Sequence, residues 1–180
     1  MHRNFILDKL YRYRKSYTSE LEVANRFIEF IQEYKDCFER SLDVGHITGS
    51  CWLLSPCGSK VLLTHHKKLN KWLQLGGHSD GEMNTVKVAM TEAVEESGIE
   101  ALNLVSEEIF DIDVHLIPAN PKEGEHFHFD IRFLIKAEEE GFTVSDESHD
   151  LAWVPLAELE SYTDEQSMLR MRDKSIGVTA

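Results

Sequence analysis

The sequence has few cysteines, and they form no recognisable set. The number of cysteines is odd, and no Cys-x-x-Cys motif occurs among Cys37, Cys51 and Cys57. Three such residues cannot build the disulfide framework of a small secreted domain, whereas reduced thiols are typical of cytoplasmic proteins. The N-terminal segment also lacks an apolar stretch of signal-peptide length. We therefore expect a soluble, cytoplasmic protein.

Long apolar runs and an excess of basic residues are absent as well. No segment approaches the roughly 18 apolar residues that a membrane span needs. The chain has 19 basic and 32 acidic residues, for a formal net charge of -13, and such a surface repels phosphate backbones. These features argue against a membrane or nucleic-acid partner. A small phosphorylated ligand fits if metal ions neutralise its charge, and a homodimer is left open.

Length and composition predict one domain, and the spacing of apolar residues predicts helices at its N-terminus. The 180 residues are 42% apolar and 28% charged, as in ordinary folded proteins. Residues 1–42 show helical spacing, and we expect them to pack as an extension on a domain formed by residues 43–180. The later segments predict an α/β sandwich. Its predicted elements are a β-hairpin at 46–64, a glycine-containing loop at 72–81, a helix at 84–97, and strands near 107–117, 126–137 and 151–154.

The predicted helix after Asn84 carries three glutamates on one face. Glu92, Glu95 and Glu96 are spaced i, i+3 and i+4, and apolar residues occupy the opposite side. Clustered carboxylates repel one another unless a cation lies among them, and oxygen ligands suit hard divalent ions such as Mg²⁺ or Mn²⁺. A solvated acidic face is the alternative interpretation of these three residues. The preceding Gly76–Gly77 pair favours the metal site, because its backbone can approach ions and phosphates closely.

The segment from Gly76 to Ile99, GGHSDGEMNTVKVAMTEAVEESGI, resembles the Nudix box of the Nudix hydrolases. Counted from Gly77, the later part of the box is in register and ends in EAVEESGI. The resemblance implies the Nudix fold, an α/β fold in which helices sandwich a mixed β-sheet. It also implies a metal-dependent pyrophosphohydrolase that cleaves a diphosphate linkage in a nucleoside diphosphate linked to another moiety X.

Carried over to this sequence, the resemblance also assigns roles to individual residues. It implies that Glu92, Glu95 and Glu96, with the carbonyl of Gly77, bind Mg²⁺ or Mn²⁺. Glu92 is in addition a candidate to orient and deprotonate the attacking water. Many family members use a further acidic residue from a loop after the box. Here Glu147, or its neighbour Asp146, is the candidate general base.

Two positions depart from the family pattern. Thr91 stands where the box has an arginine, and Glu82 lies one residue before the position of the first box glutamate. We expect Glu82, with Asp80 as a further candidate, to take that glutamate's role. Without the arginine, repulsion among the three helix glutamates is less compensated until a metal ion binds; the alternative is that another cation, such as Lys87 or Arg132, occupies the gap. The departures favour one alternative, a Nudix-like nucleotide- or protein-binding module without turnover. A diphosphate isomerase is a second alternative, which the position of the cysteines on the hairpin disfavours.

Histidines are the remaining candidates for contact with the substrate. His126 and His128 alternate along a predicted strand, so they point to one side of it. His66 belongs to a basic patch before the box, and His78 directly follows the glycine pair. Ordinary sheet residues that satisfy one another are the alternative, and a zinc site is less favoured because no cysteine joins them. No loop identifies a base, a sugar or a coenzyme A moiety, so the substrate is expected only to be nucleotide-like.

Overall fold

The computed structural model describes residues 3–67, 69–121, 123–145 and 148–179. Within these ranges the helices are α1 (Asn4–Ser16), α2 (Leu21–Glu33), α3 (Thr85–Ser97) and α4 (Gln166–Thr179), with short 3-10 helices at Thr18–Glu20 and Leu156–Ser161. The strands are β1 (Gly45–Leu54), β2 (Lys60–His66), β3 (Lys71–Leu73), β4 (Leu75–His78), β5 (Leu102–Leu104), β6 (Asp111–Ile117), β7 (His126–Ala137) and β8 (Ser148–Pro155).

All of these strands belong to one mixed sheet. β1 and β7 run parallel over their whole shared length, from the pair Gly45–Phe127 to the pair Leu54–Lys136. The other pairs are antiparallel: β5 and β6 join β7, β2 and β4 join β1, and β3 and β8 join β2. The predicted mixed sheet is therefore confirmed, and the parallel β1–β7 pair lies at its centre.

Helices cover both faces of the sheet, as predicted. On one face, α1, α2 and α3 share a core with the odd-numbered residues of β1 and β7. There Phe30 stacks on Phe129 with ring centroids 3.8 Å apart. On the other face, the second 3-10 helix and α4 pack on even-numbered residues such as Trp52 and Leu134. Because these even-numbered side chains become polar towards the start of β1, part of that face is left for a site.

The local signals around α3 are confirmed. The Asn84 side chain accepts a hydrogen bond from the Lys87 amide at 3.3 Å, and Gly98 ends the helix with a φ of 70°. The predicted loop at 72–81 is wrong in one respect, because it contains parts of β3 and all of β4. β4 pairs with β1 through Gly76 opposite Ser50, where a Cβ on the glycine would overlap the serine side chain. A strand composed largely of glycine has no alternating pattern that sequence could detect.

The described part of the chain contains no helix that is both long and apolar enough to cross a bilayer. Cys37 and Cys51 are buried free thiols, and Cys57 is an exposed one in the turn between β1 and β2.

Candidate active site

A cavity of about 500 Å³ lies where β4, α3 and the polar ends of β1 and β7 meet. Its wall combines carboxylates, glycines, histidines and hydroxyl groups. The described residues that line it include Arg40, Thr48, Ser50, His66, Gln74, Gly76, Gly77, His78, Glu92, Glu95, Glu96, His115, His128, Asp130 and Ser145.

All three glutamates of α3 reach this cavity. Glu92 and Glu96 are half-buried and Glu95 is exposed. Gly77 lies directly against Glu92, because a Cβ built on Gly77 would overlap the Glu92 carboxylate. Only a glycine therefore brings the β4 backbone this close to the helix. Carboxylates beside a main-chain segment are the all-oxygen donor set that hard divalent ions take, so the residues present fit Mg²⁺ or Mn²⁺.

The two cations expected to replace the box arginine have other partners. Lys87 forms an ion pair of 2.7 Å with Glu82, which also accepts a hydrogen bond from the Asn84 amide. Glu82 thus stabilises the start of α3 and is not among the described residues that line the cavity. Arg132 is buried 2.7 Å from Asp130 and 3.1 Å from Asp111.

A different cation, Arg40, lies at the cavity. It precedes β1 and forms two contacts of 2.5 Å with the Asp80 carboxylate. Its pKa is raised by Asp80 first and then by Glu123 and Glu92, so the Arg40 charge interacts with Glu92 on α3. Sequence reasoning missed Arg40, since it lies 37 residues before Gly77 and outside any motif.

A buried polar network forms the floor of the cavity. Asp130 accepts hydrogen bonds from Thr48 at 2.9 Å, Ser50 at 2.6 Å, Gln74 at 3.2 Å and Arg132 at 2.7 Å. Burial acts to raise the pKa of Asp130, but Arg132, followed by His115 and the Ser50 hydroxyl, outweighs it and holds that pKa below its ordinary value. Asp130 therefore stays ionised and positions the polar ends of β1 and β7.

The structure brings most of the predicted histidines together. His66, His78 and His128 line the cavity, whereas His126 is buried behind His128 and contacts it through the two Nε2 atoms at 3.3 Å. His46, which sequence reasoning did not single out, lies among them because the parallel register pairs it with His128. The only local signal for His46 is its alternation with Thr48 and Ser50 along β1.

Burial lowers the pKa values of three of these rings, those of His46, His78 and His128. The pKa of His46 falls to about 4, chiefly through burial and then through His78 and His126. Burial, with His46 and His78, lowers the pKa of His128 to about 2. The pKa of His78 is also lowered, by burial first and Arg40 second. His46, His78 and His128 are therefore neutral imidazoles near pH 7, which can accept or donate hydrogen bonds and can bind metals.

The predicted general bases, Asp146 and Glu147, lie outside the described residues. The residue before them, Ser145, lines the cavity. The residue after them, Ser148, is hydrogen-bonded through its hydroxyl to that of Thr64 at 2.5 Å.

Comparison with known proteins agrees with this architecture. The family model of the NUDIX domain matches residues 46–174. The chain belongs to the Nudix family. The predicted family is thereby confirmed, and with it the enzyme class to which that family belongs, the Nudix hydrolases. A comparison with curated proteins finds no match.

Solved structures of hydrolases share the fold at low sequence identity. A Nudix-family hydrolase from Clostridium perfringens is 25% identical, with a TM-score of 0.57, and the alignment covers 74% of this chain and 97% of that one. An Ap4A hydrolase from C. elegans is 17% identical, with a TM-score of 0.60 and coverage of 73% and 96%. The dihydroneopterin triphosphate pyrophosphohydrolase of E. coli is 13% identical, with a TM-score of 0.57 and coverage of 73% and 95%.

Proposed function

We propose that this Nudix protein is a divalent-metal-dependent hydrolase that cleaves a diphosphate linkage in a nucleoside diphosphate linked to another moiety. One observation carries the proposal: Glu92, Glu95 and Glu96 line the same cavity as Gly77. The absence of a side chain at Gly77 gives the Glu92 carboxylate its space, because a Cβ there would overlap it. Three ionised carboxylates around one cavity repel one another. A bound complex of cations and phosphate compensates their charge.

In this proposal the three glutamates and the Gly77 carbonyl hold Mg²⁺ or Mn²⁺. A bound divalent ion neutralises phosphate charge and lowers the pKa of coordinated water. Glu92 orients the attacking water, and Glu147 or Asp146 accepts its proton. Arg40 contacts Asp80 through Nε and Nη2, and in this proposal its Nη1 donates to a phosphate oxygen.

Histidines contribute polar groups to the same cavity. In this proposal His66, His78 and His128 contact the substrate side of the cavity, and His126 supports His128 from behind. The substrate is a small phosphorylated, nucleotide-like molecule, and the free thiols agree with a cytoplasmic location. A homodimer is compatible with this proposal.

A binding module without turnover is the second candidate. It is favoured by Thr91, which is exposed where the family has arginine, and by Glu82, whose carboxylate is engaged with Lys87 and the Asn84 amide. Such a module would bind the same class of ligand and release no product.

A product-release screen separates the two. The purified protein is incubated with nucleotide sugars, dinucleotides including Ap4A, nucleoside triphosphates, dihydroneopterin triphosphate and coenzyme derivatives, each with Mg²⁺ or Mn²⁺. Release of a phosphate-containing product from any of them, abolished by EDTA, supports the hydrolase. Ligand-induced stabilisation with no release from any compound supports the binding module.

A further inference from the structure

Three histidines from three strands converge at one end of the cavity, and they form what we call the histidine triad: His46 of β1, His78 of β4 and His128 of β7. Each offers a ring nitrogen, and these three atoms all lie within 4.8 Å of one another. The ring centroids are 5.0 Å apart for His46 and His78, 4.8 Å for His46 and His128, and 5.0 Å for His78 and His128. The strand pairing brings them together, because none of the three is near another in sequence.

His46 has an unusual environment for a buried polar ring. Only 2% of its surface is exposed, and neither ring nitrogen has a hydrogen-bond partner among the described residues. Leaving a buried donor and acceptor unsatisfied costs about 1–3 kcal/mol per group. An ion bound between the triad nitrogens would satisfy one of these atoms. This observation is independent of the spacing of the three rings.

His126 supports the triad from behind. Its Nδ1 lies 2.8 Å from the carbonyl oxygen of Gly124, which can only accept, so Nδ1 carries the proton. In the neutral ring, Nε2 then presents a lone pair to Nε2 of His128 at 3.3 Å. His126 thereby orients His128, as the outer hydrogen-bond partners of metal-binding histidines do.

We propose that the histidine triad binds one borderline divalent transition-metal ion of the Zn²⁺ class, at a site separate from the α3 carboxylates. Imidazole nitrogens select Zn²⁺, Co²⁺ or Ni²⁺, whereas carboxylates and carbonyls select Mg²⁺ and Mn²⁺. Zinc–nitrogen bonds of about 2.0–2.1 Å in a tetrahedron put nitrogens about 3.4 Å apart, so small ring rotations close the triad around the ion.

The site has room for one more ligand on the cavity side. His78 and His128 line the cavity, and His46 lies behind them in the sheet. Three protein nitrogens with one open position is the arrangement of catalytic rather than structural zinc sites. The open position takes water or an oxygen of an anionic ligand. The proposal does not depend on the hydrolase activity, because the triad uses none of the α3 glutamates.

Cobalt titration tests the site directly. Chelator-treated protein, held in excess Mg²⁺ to occupy the carboxylates, is titrated with Co²⁺ while visible absorption is recorded. We expect one equivalent to give the absorption bands of a nitrogen-ligated ion. His46→Gln and His128→Gln should each weaken the apparent Co²⁺ affinity by more than about 100-fold, beyond the 10–100-fold typical of outer partners.

Two control variants make the result specific. His149→Gln removes an exposed histidine and should keep the Co²⁺ spectrum and affinity. Glu96→Gln should keep them too, while losing the Mg²⁺-induced rise in melting temperature. An unchanged Co²⁺ affinity in both triad variants overturns the proposal. Loss of the spectrum in Glu96→Gln with retention in His46→Gln also overturns it, because the ion would then lie at the carboxylates.

Anomalous diffraction from wild-type crystals soaked in ZnCl₂ covers the case in which the triad variants do not fold. Data collected above and below the zinc absorption edge should show a peak between His46, His78 and His128. The absence of a peak there, with zinc bound elsewhere or not at all, would refute the site.

Discussion

The Arg40 guanidinium donates two hydrogen bonds of 2.5 Å to the Asp80 carboxylate. This pair connects the segment before β1 to the turn after β4. This pair sets the position of a cation at a cavity rich in carboxylates. The Nudix box lacks its arginine at Thr91, and Arg40 supplies a positive charge from elsewhere in the chain. The pair itself is about half exposed, so its direct contribution to stability is small.

Arg40→Ala should therefore affect catalysis more than stability. We expect KM to rise about 10-fold, equivalent to about 1.4 kcal/mol of lost phosphate binding, with a change of a few degrees or less in melting temperature. Arg12→Ala is the matched control, because Arg12 forms a similar exposed two-contact pair with Glu108 far from the cavity. Equal KM values for the two variants would show that Arg40 does not contribute to substrate binding.

Gly77→Ala should disable the metal site while the fold persists. The added Cβ overlaps the Glu92 carboxylate, so the glutamate must move or β4 must shift. We expect kcat to fall about 100-fold or more and the Mg²⁺-induced rise in melting temperature to shrink. Gly141→Ala is the control, since no atom of the described residues lies within 4 Å of a Cβ at that position. Wild-type activity in Gly77→Ala would mean that the close contact between the β4 backbone and Glu92 has no role in catalysis.

The general base is tested at the two residues after Ser145. Glu147→Ala or Asp146→Ala should lower kcat by about 10²–10⁴ while metal affinity, read from the Mg²⁺ melting shift, stays unchanged. A loss smaller than a few-fold in both variants would instead leave proton transfer to Glu92 on α3.

Asp130→Asn should destabilise the protein. The substitution removes the charge that accepts bonds from Arg132, Ser50 and Thr48 in a buried site. Since Arg132 keeps Asp111 as a partner, we expect a loss of about 1.5–3 kcal/mol, the value of hydrogen bonds to charged groups, rather than that of a fully orphaned ion. Urea unfolding measures it, with the exposed Asp43→Asn as control. Equal unfolding midpoints would show that the network adds nothing.

The sequence predicted most accurately the features that local chemistry determines. The cap at Asn84, the left-handed Gly98 and the glutamate spacing of α3 each follow from a few neighbouring residues. The proximity of Gly77 to the α3 glutamates was expected from the resemblance to the Nudix box. What sequence could not predict depends on long-range pairing. His46 meets His128 only because β1 and β7 are parallel, and Arg40 reaches Asp80 only through the packing of the segment before β1.

The replacement of the box arginine illustrates the same limit. Helical spacing suggested Lys87, and Arg132 was the second candidate. Lys87 instead pairs with Glu82, and Arg132 pairs with two buried aspartates, Asp130 on its own strand and Asp111 on β6. Charge partners across a sheet or between loops have no sequence period, so only the folded arrangement identifies them.

The most direct test of this account is the Mg²⁺-dependent turnover of Glu96→Gln. Wild-type protein, Glu96→Gln and the exposed control Glu100→Gln are assayed side by side on the substrate that the screen identifies, and their melting temperatures are compared. The account predicts that Glu96→Gln loses turnover by about 10³-fold or more and keeps a cooperative unfolding transition, while Glu100→Gln matches wild type. Turnover of Glu96→Gln at the wild-type rate would contradict the assignment of the α3 carboxylates to the metal site.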